Sequence, residues 1–289
     1  AMGDFDLATD ESKSFHLFDD GWQCLGLSPA LFKAAYGGKY PYDLIEGENF
    51  EKAYETFMDE YDAINVTAPF KELACSKADE LDEECRIIGA SNILIKDGEN
   101  QHIIAKNSDI EGVVGSLQAV GMDKGLSKIA LIAGCGGAAM AAAFATWKVL
   151  GYDTVVLNRN FKKAQSFVEK MVKSGCPGAD ITAAPIESFE SHFSKADIIV
   201  YTLPVAIPAI SGLSRKAIRG AQFWKKRKSK VILEANYKDP AFTSELKSFL
   251  CGINPGITFI SGKEWLLHQA VGAYRSFTGE EPNIEEMRK

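Results

Sequence analysis

The sequence contains few cysteines, and their spacing points to neither a metal site nor a disulfide framework. Six cysteines are scattered through 289 residues. They form no Cys-x-x-Cys pair, and no histidine accompanies them at the spacing of a zinc site. We therefore expect no bound metal. A disulfide-stapled secreted domain is equally unexpected, so the thiols suit a reducing, cytoplasmic location.

Long hydrophobic runs are missing as well. No apolar stretch approaches the roughly 20 residues that span a bilayer, so no membrane partner is expected. The acidic, polar start lacks the basic and apolar segments of a signal peptide. We interpret residues 1–12 as a polar leader and Ala1-Met2 as a remnant of tag cleavage.

An excess of positive charge is the third missing feature. The formal net charge is −7, whereas binding a polyanion requires a concentrated positive field. One basic run, Lys225–Lys230, comes directly before an apolar stretch, Val231–Leu233. A solvated helix end or loop explains this run better than a nucleic-acid patch, and no nucleic-acid partner is expected.

The remaining composition, with 46% hydrophobic residues, is typical of a globular chain large enough for two domains. In its first part, short apolar runs alternate with segments of helical spacing, which predicts an α/β unit. Asp97-Gly98 lies between two apolar runs and predicts a hairpin, because glycine allows the positive φ of a tight turn. The predicted strands of this part are Ser14–Phe18, Tyr40–Ile45, Ala63–Val66, Asn92–Lys96 and His102–Ala105.

A second alternating series predicts a doubly wound parallel sheet of the Rossmann type. Its first βαβ unit runs from a buried strand at Ile129–Ala133 through a helix at Ala138–Leu150 to a strand at Val155–Leu157. The fold class is therefore α/β with two domains. Further buried strands are predicted at Ile198–Tyr201, Val231–Leu233 and Thr258–Ile260.

The loop Gly134-Cys-Gly-Gly-Ala-Ala139 joins the first strand of this series to its helix. Glycines at such a turn let backbone N–H groups and the helix N-terminus approach a pyrophosphate. The length of the βαβ unit favours a dinucleotide site formed by Gly134, Gly136, Gly137 and Ala138. A tight turn without a ligand is the alternative. We interpret Cys135 as an unreactive packing residue. The alternative is a thiol activated by the helix N-terminus.

The end of the next strand carries basic rather than acidic residues. An NAD site usually has Asp or Glu here for the ribose hydroxyls, whereas this chain has Asn158-Arg159 followed by Lys162-Lys163. Cations suit a 2′-phosphate, so Asn158, Arg159 and Lys163 predict NADP. A solvated helix start is the alternative. The missing acid also argues against a transferase that uses another adenine-containing cofactor.

Several short motifs, in order along the chain, resemble those of the shikimate dehydrogenase family. Taken alone, Lys71 would be interpreted as a solvated surface lysine, but its segment matches one of these motifs. The matches are Asn65-Val-Thr-Ala-Pro-Phe-Lys71 to Asn-Val-Thr-x-Pro-x-Lys, Gly89-Ala-Ser-Asn92 to Gly-Ala-x-Asn, Asn107-Ser-Asp109-Ile-Glu-Gly112 to Asn-Thr-Asp-x-x-Gly, Ala133–Ala139 to the cofactor loop, Asn158-Arg159 to Asn-Arg, and Gly262 to Gln269 to the closing helix.

The resemblance implies an NADP-dependent enzyme that interconverts 3-dehydroshikimate and shikimate. It implies that residues 13–110 with 263–289 bind the substrate and that residues 111–262 bind NADP. Lys71 and Asp109 match the family's proton-handling pair, and a lysine near a carboxylate can hold a ketone oxygen and share a proton. The matched substrate positions are Ser28, Thr67, Asn92, Tyr237 and Gln269, and the further cofactor positions are Thr202 and Gly262.

The closing helix, predicted at Lys263–Phe277, is expected to pack on the first domain. The residues whose spacing allows them to share one face of this helix are Trp265, Leu266, Gln269, Ala273 and Tyr274.

The chain departs from the family pattern near the expected substrate carboxylate and nicotinamide. Gly26-Leu-Ser28-Pro29 lacks the first serine of Ser-x-Ser-Pro, Val200-Tyr201-Thr202 replaces Asn-Ala-Thr, Glu234-Ala-Asn-Tyr237 replaces Asp-x-x-Tyr, and Trp265 replaces a methionine. These differences indicate a changed substrate with retained chemistry, which leaves quinate or another hydroxy acid as alternatives.

A non-catalytic sensor of cofactor or metabolite levels is an alternative from a different class of protein. The presence of both Lys71 and Asp109 argues against it. The expected partner is a small hydroxy or keto acid, and the chain is expected to be a monomer or a homodimer.

Overall fold

A computed structural model describes residues 15–19, 28–37, 39–40, 42–46, 49–67, 69–98, 101–124, 128–174, 180–220 and 229–289. These residues form two compact units, one from the described parts of Ala1–Ser108 and Leu266–Lys289, the other from Asp109–Trp265. The first predicted boundary, after residue 110, lies two residues later in the chain than the observed one. The second predicted boundary, before residue 263, lies three residues earlier than the observed one. The predicted leader, residues 1–12, lies outside the described residues.

Strands and helices alternate along most of the chain. The strands are β1 (Phe15–Asp19), β2 (Tyr42–Glu46), β3 (Ala63–Val66), β4 (Glu80–Leu81), β5 (Ile93–Asp97), β6 (His102–Lys106), β7 (Ile129–Ala133), β8 (Asp153–Asn158), β9 (Ile181–Pro185), β10 (Ile198–Tyr201), β11 (Lys230–Glu234) and β12 (Ile257–Ser261). The helices are α1 (Ser28–Tyr36), α2 (Phe50–Glu60), α3 (Lys71–Lys77), α4 (Glu83–Ile88), α5 (Asp109–Gln118), α6 (Gly137–Phe144), α7 (Phe161–Ser174), α8 (Phe189–Lys195), α9 (Pro208–Ser211), α10 (Arg215–Arg219), α11 (Ser244–Ile253), α12 (Gly262–Thr278) and α13 (Ile284–Met287).

Short polar residues begin several of these helices. The side chains of Asn49, Asp82 and Thr243 each accept a hydrogen bond from a backbone N–H group in the first turn of α2, α4 and α11. Such caps satisfy N–H groups that have no partner inside the helix. Gly89 ends α4 with a φ of 77°, a conformation that glycine adopts without steric cost.

The first unit contains a mixed sheet in the order β2-β1-β3-β5-β6-β4. Strand β1 pairs in parallel with β2 and β3, whereas β5 pairs antiparallel with β3 and β6. The predicted hairpin is confirmed as β5 and β6, with Gly98 at a φ of 64° in the turn between them.

Helix α12 packs on the elements of the first unit, as expected. Phe32 of α1 stacks on Tyr42 with ring centroids 4.2 Å apart, and Tyr274 and Phe277 of α12 belong to the same apolar cluster. The predicted face of α12 is only partly right, because Leu266 and Gln269 are half-buried. The α12 residues of the cluster are Leu267, Ala270, Val271, Ala273, Tyr274 and Phe277.

The second unit contains a wholly parallel sheet in the order β12-β11-β10-β7-β8-β9. Counted along this unit from β7, the order is 3-2-1-4-5-6, which is the doubly wound Rossmann arrangement. The predicted α/β fold class is therefore confirmed. Strand β9, Ile-Thr-Ala-Ala-Pro, was not predicted, because this partly exposed edge strand carries no continuous run of large apolar residues.

Two predictions in this unit are corrected. The helix predicted at Ala138–Leu150 begins at Gly137 and changes into a π-helical turn at Ala145–Val149. Lys230, the last residue of the basic run, is buried as the first residue of β11 instead of lying in a solvated segment. Residues 221–228 of that region lie outside the described residues. Within the described ranges, none of the helices combines the length and the hydrophobicity needed to cross a membrane.

Candidate functional site

The glycine loop lies where the strand order of the second sheet reverses. Gly134 follows β7, and its N–H donates to the Leu157 carbonyl of β8 at 2.8 Å. Its φ is +124°, and a Cβ there would lie 2.3 Å from the Thr202 Oγ1. Thr202 follows β10 and donates this hydroxyl to the Ala133 carbonyl at 2.8 Å. Only glycine therefore fits at position 134, and the ends of β7 and β10 are joined side by side.

The start of α6 beside this junction is partly exposed, with an exposed cap and a half-buried first turn. Gly136 caps the helix without a side chain, and Gly137 and Ala138 begin its first turn. A Cβ at Gly136 would meet open space, so packing against the protein does not require glycine at this position. The first-turn N–H groups of a helix attract anions, and a glycine cap leaves them accessible.

Two exposed cations, Arg159 and Lys163, follow the end of the neighbouring strand β8. The Asn160 carboxamide oxygen accepts from the Lys163 N–H at 3.2 Å, and Asn158 donates to the Asn160 carbonyl at 3.2 Å. These bonds set the start of α7. The charge of Lys163 reaches Cys135 in the glycine loop, where it opposes the effect of burial on the thiol pKa.

Cys135 itself is buried in the glycine loop. Burial raises the pKa of its thiol, and the opposing influence of Lys163 is smaller. A raised pKa keeps the sulfur in the poorly reactive thiol form at neutral pH, which argues against the activated alternative.

Tyr201 organises the segment that follows β10. Its hydroxyl donates to the Val205 carbonyl at 2.7 Å and accepts from the Ile207 N–H at 3.2 Å. Burial raises the pKa of this phenol to about 12, so it keeps its proton at neutral pH. Tyr201 thus fixes the bend after Thr202 from the protein interior. The family pattern has an alanine at this position.

Glu234 organises the next segment along the same edge. Its buried carboxylate accepts hydrogen bonds from the N–H groups of Ala241 and Phe242, although burial raises the pKa of the group. The loop closed in this way carries Tyr237, which is half-buried. A Cβ on Gly262 would lie 2.1 Å from the Ala235 carbonyl oxygen, so glycine is required there as well.

In the first unit, Lys71 begins α3 directly after a turn. The turn is closed by a hydrogen bond from the Phe70 N–H to the Thr67 carbonyl at 3.0 Å. The Lys71 carbonyl accepts from the Ser91 N–H at 2.8 Å. Thr67 and Lys71 are both half-buried. The main chain of Lys71 is therefore fixed to the segment that precedes β5.

Asn92, next to Ser91, is completely buried and pairs with Ser108. Its carboxamide oxygen accepts from the Ser108 N–H at 2.8 Å, and its nitrogen donates to the Ser108 hydroxyl at 3.1 Å. Nearby, Asn107 donates to the Ala90 carbonyl at 2.9 Å. These bonds fix the chain immediately before Asp109. The pairing is a structural use of a side chain that sequence reasoning assigned to the substrate.

Asp109 is the first residue of α5 and is buried in the second unit. The Trp265 indole N–H donates to its carbonyl oxygen at 3.0 Å. Gln269 lies on α12 and is half-buried, and Ser28 is the first residue of α1. Gly26, which belongs to the altered serine motif, lies outside the described residues.

The structure thus brings most predicted cofactor residues to one edge of the second sheet. Sequence reasoning missed the hydroxyl of Tyr201, the partner role of Ser108 and the bond from Trp265 to Asp109. Tyr201 and Trp265 carried a usable signal, because each is a polar aromatic residue that replaces an apolar residue of the family pattern.

Comparisons with known proteins agree with the motif assignment. A family model described as the shikimate dehydrogenase substrate binding domain matches residues 26–94. The shikimate dehydrogenase (NADP(+)) of Anaeromyxobacter dehalogenans is 30% identical over 223 residues, which cover 76% of this chain and 72% of that protein. The pentafunctional AROM polypeptide of Schizosaccharomyces japonicus is 29% identical over 280 residues; the match covers 92% of this chain but only 17% of that polypeptide.

Solved structures share the fold over almost the whole chain. Mycobacterium tuberculosis shikimate dehydrogenase has a TM-score of 0.76 and 26% identity, with 96% of this chain and 97% of that chain covered. Quinate dehydrogenase from Corynebacterium glutamicum, in complex with NAD, has a TM-score of 0.77 and 22% identity, with the same coverage. Taken with the motifs and the strand order, these similarities show that the chain belongs to the shikimate dehydrogenase family.

Proposed function

We propose that this chain is an NADP-dependent dehydrogenase that interconverts shikimate and 3-dehydroshikimate. One observation carries the proposal: helix α6 begins with the exposed cap Gly136 at the strand-order reversal of the second sheet, and the exposed cations Arg159 and Lys163 follow the neighbouring strand β8. Ligands of doubly wound sheets bind at this point. Family membership supports the substrate, because the similar enzymes bear that name.

The residues at this edge fit an NADP molecule. The open space at Gly136 leaves room for a pyrophosphate next to the N–H groups of Gly137 and Ala138. Arg159 and Lys163 supply the positive charge that a 2′-phosphate requires, with Asn158 beside them. Thr202 and Gly262 are the proposed residues on the nicotinamide side. NADPH, when bound, supplies the hydride for the ketone carbon.

Lys71 and Asp109 are the proposed proton-handling pair. In the direction of reduction, the Lys71 ammonium donates a hydrogen bond and then a proton to the ketone oxygen, which offsets the negative charge that develops there. The Asp109 carboxylate has the proposed role of orienting the substrate hydroxyl for this proton transfer. In the direction of oxidation, neutral Lys71 takes the proton from the hydroxyl.

The remaining predicted residues are proposed to recognise the hydroxyl and carboxylate groups of the acid. A site built from hydrogen-bonding groups rejects analogues that leave these groups unpaired. The proposed set is Ser28, Thr67, Asn92, Tyr237 and Gln269. We propose that the protein acts in the cytoplasm as a monomer or homodimer, without a nucleic-acid or membrane partner.

The decisive experiment follows NADP reduction spectrophotometrically with shikimate and with quinate. Loss of a proton-transfer group typically lowers the rate by about 10²–10⁴-fold, so we expect kcat of Lys71→Ala to fall by that amount. Lys77→Ala is the matched control, because Lys77 lies on the same helix in an exposed ion pair with Glu51. Unchanged turnover in Lys71→Ala would exclude the proposed role of that lysine.

Quinate is the second candidate substrate. It is favoured by Gly26, which stands where the family has the first serine of its carboxylate-binding element. A higher kcat/KM for quinate than for shikimate would change the assigned substrate and leave the chemistry in place. NADPH binding without turnover of any tested acid would favour the non-catalytic sensor.

A further inference from the structure

Trp265 makes a specific contact with the proposed catalytic Asp109. The indole N–H donates to the Asp109 carbonyl oxygen at 3.0 Å, and both residues are at least 95% buried. Both belong to the second unit, in which Asp109 is the first residue and Trp265 the last. The hydrogen bond therefore joins the two ends of that unit.

The indole ring also lies against the first turn of α5. A Cβ on Gly112 would lie 2.4 Å from the Trp265 Cδ1, 2.8 Å from its Nε1 and 2.8 Å from its carbonyl oxygen. No side chain larger than hydrogen fits at Gly112 in this arrangement. This contact explains the last glycine of the Asn107–Gly112 motif, because only glycine lets the indole ring lie this close to the helix backbone.

The hydrogen bond acts on the peptide group that orients the Asp109 side chain. A carbonyl in the first turn of a helix ordinarily accepts only from the N–H group four residues later. Here a second donor reaches the same oxygen from outside the helix, in a buried environment where hydrogen bonds are strong. Asp109 is thus held by its helix on one side and by Trp265 on the other. The side chain of the methionine usual at this position has no N–H group and cannot make this bond.

We infer that Trp265 is a positioning residue for Asp109, acting through its indole N–H. This inference rests on the proposed function, since it presumes that Asp109 takes part in proton transfer. Displacing a reacting group by about 1 Å can cost on the order of 10²-fold in rate. A change at Trp265 should therefore lower kcat and leave cofactor binding intact.

The first test compares Trp265→Phe with Trp147→Phe. Trp147 is a buried tryptophan of the same unit, in the π-helical turn, and controls for the loss of an indole. We expect kcat of Trp265→Phe to fall by about 10- to 100-fold, with an unchanged KM for NADPH, while Trp147→Phe keeps the wild-type kcat. Equal kcat values in the two variants would overturn the inference.

A second variant isolates the hydrogen bond from ring packing. Replacing the Trp265 indole by benzothiophene, through incorporation of the corresponding unnatural amino acid, keeps the ring shape and removes only the N–H group. The same loss of kcat, at an unchanged melting temperature, supports a role in positioning. Wild-type kcat in this variant would overturn the inference even if Trp265→Phe fails to fold.

Asp109→Asn separates this inference from the proposed function. If Asp109→Asn retains wild-type turnover, the proposed catalytic pair is wrong, and the inference that depends on it is wrong as well. If Asp109→Asn loses turnover but the benzothiophene variant does not, only the role of Trp265 is wrong. Loss of turnover in both supports both.

Discussion

Arg159 and Lys163 are proposed site residues with exposed side chains. Packing constrains an exposed cation little. The sequence shows that the cation follows a strand, but it does not show which group the cation binds. Their shared effect is electrostatic: the charge of Lys163 acts on Cys135, and that of Arg159 acts on Tyr201. Both charges therefore act at the edge where the cofactor is proposed to bind.

Replacing Arg159 should discriminate between the two nicotinamide cofactors. Charge-assisted hydrogen bonds contribute about 1.5–3 kcal/mol, so we expect Arg159→Ala to raise KM for NADP by about tenfold or more and to change KM for NAD little. Steady-state kinetics with both cofactors measure this difference. Lys173→Ala, at the exposed end of the same helix, is the control. Equal increases for NADP and NAD would remove the argument for a 2′-phosphate site.

Asn92, in contrast to these exposed cations, is buried and has its hydrogen-bond partner within the protein. Motif resemblance assigned it to the substrate, whereas its carboxamide pairs with both the N–H and the hydroxyl of Ser108. A buried amide must be satisfied, and a nearby backbone group satisfies it at short range. The motif therefore serves the local fold even where a contact with substrate is also proposed.

At the scale of elements, strand β11 carries a buried charged residue at each end. Glu234 closes the loop that follows the strand. Lys230 extends to the C-terminal end of α8, where its ammonium donates to the carbonyls of Phe193 at 2.7 Å, Ser194 at 3.2 Å and Ala196 at 2.8 Å. A cation is favourable at a helix C-terminus, where carbonyl groups lack partners inside the helix. Lys230 therefore joins a helix to the sheet as a cap supplied from another element.

Removing this cap should lower stability without altering the proposed site. Lys230→Met keeps much of the side-chain volume but leaves buried carbonyl groups without their donor. An unsatisfied buried polar group costs about 1–3 kcal/mol, and we expect a decrease of that size in the free energy of unfolding. Urea denaturation measures it, with exposed Lys170→Met as the control. A stability equal to that of the control would show that the cap contributes nothing.

At the scale of the whole molecule, the two units differ in how the chain builds them. The second is one continuous segment, Asp109–Trp265, with its own apolar core. The first combines two segments of the chain, and helix α12 supplies much of the cluster around Phe32 and Tyr40. Its sheet therefore depends on residues that follow the second unit in the chain.

Fragments should reveal this difference. We expect residues 109–265 to unfold cooperatively in urea, because their core is complete. Residues 1–108 should lack a cooperative transition until a peptide of residues 266–289 is added, since they lose the apolar partners that α12 provides. Circular dichroism during urea titration measures both transitions. A cooperative transition of residues 1–108 alone would contradict this account of the core.

The fold class and the position of the glycine loop were predictable because their signals are local. Buried parallel strands appear as short apolar runs, and the glycines of the loop after β7 follow such a run directly. The observed strand bounds differ from the predicted ones by one or two residues, as for β2, which is Tyr42–Glu46 instead of Tyr40–Ile45. The residue types at the two ends of a strand are not distinctive enough to mark where it begins and ends. The motif matches predicted the family for the same reason, since each is a contiguous stretch of residues.

Only the tertiary structure decided which polar side chains hold the site together. Lys230 appeared to belong to a solvated basic run until the fold placed α8 next to its strand. Trp265 appeared as one apolar residue on a helix face, yet it donates to Asp109, 156 residues away in the chain. Such contacts depend on the path of the chain through the second sheet, and no window of neighbouring residues contains that path. The sequence alone determined the types of element and the residues available for chemistry, whereas the three-dimensional packing determined their partners.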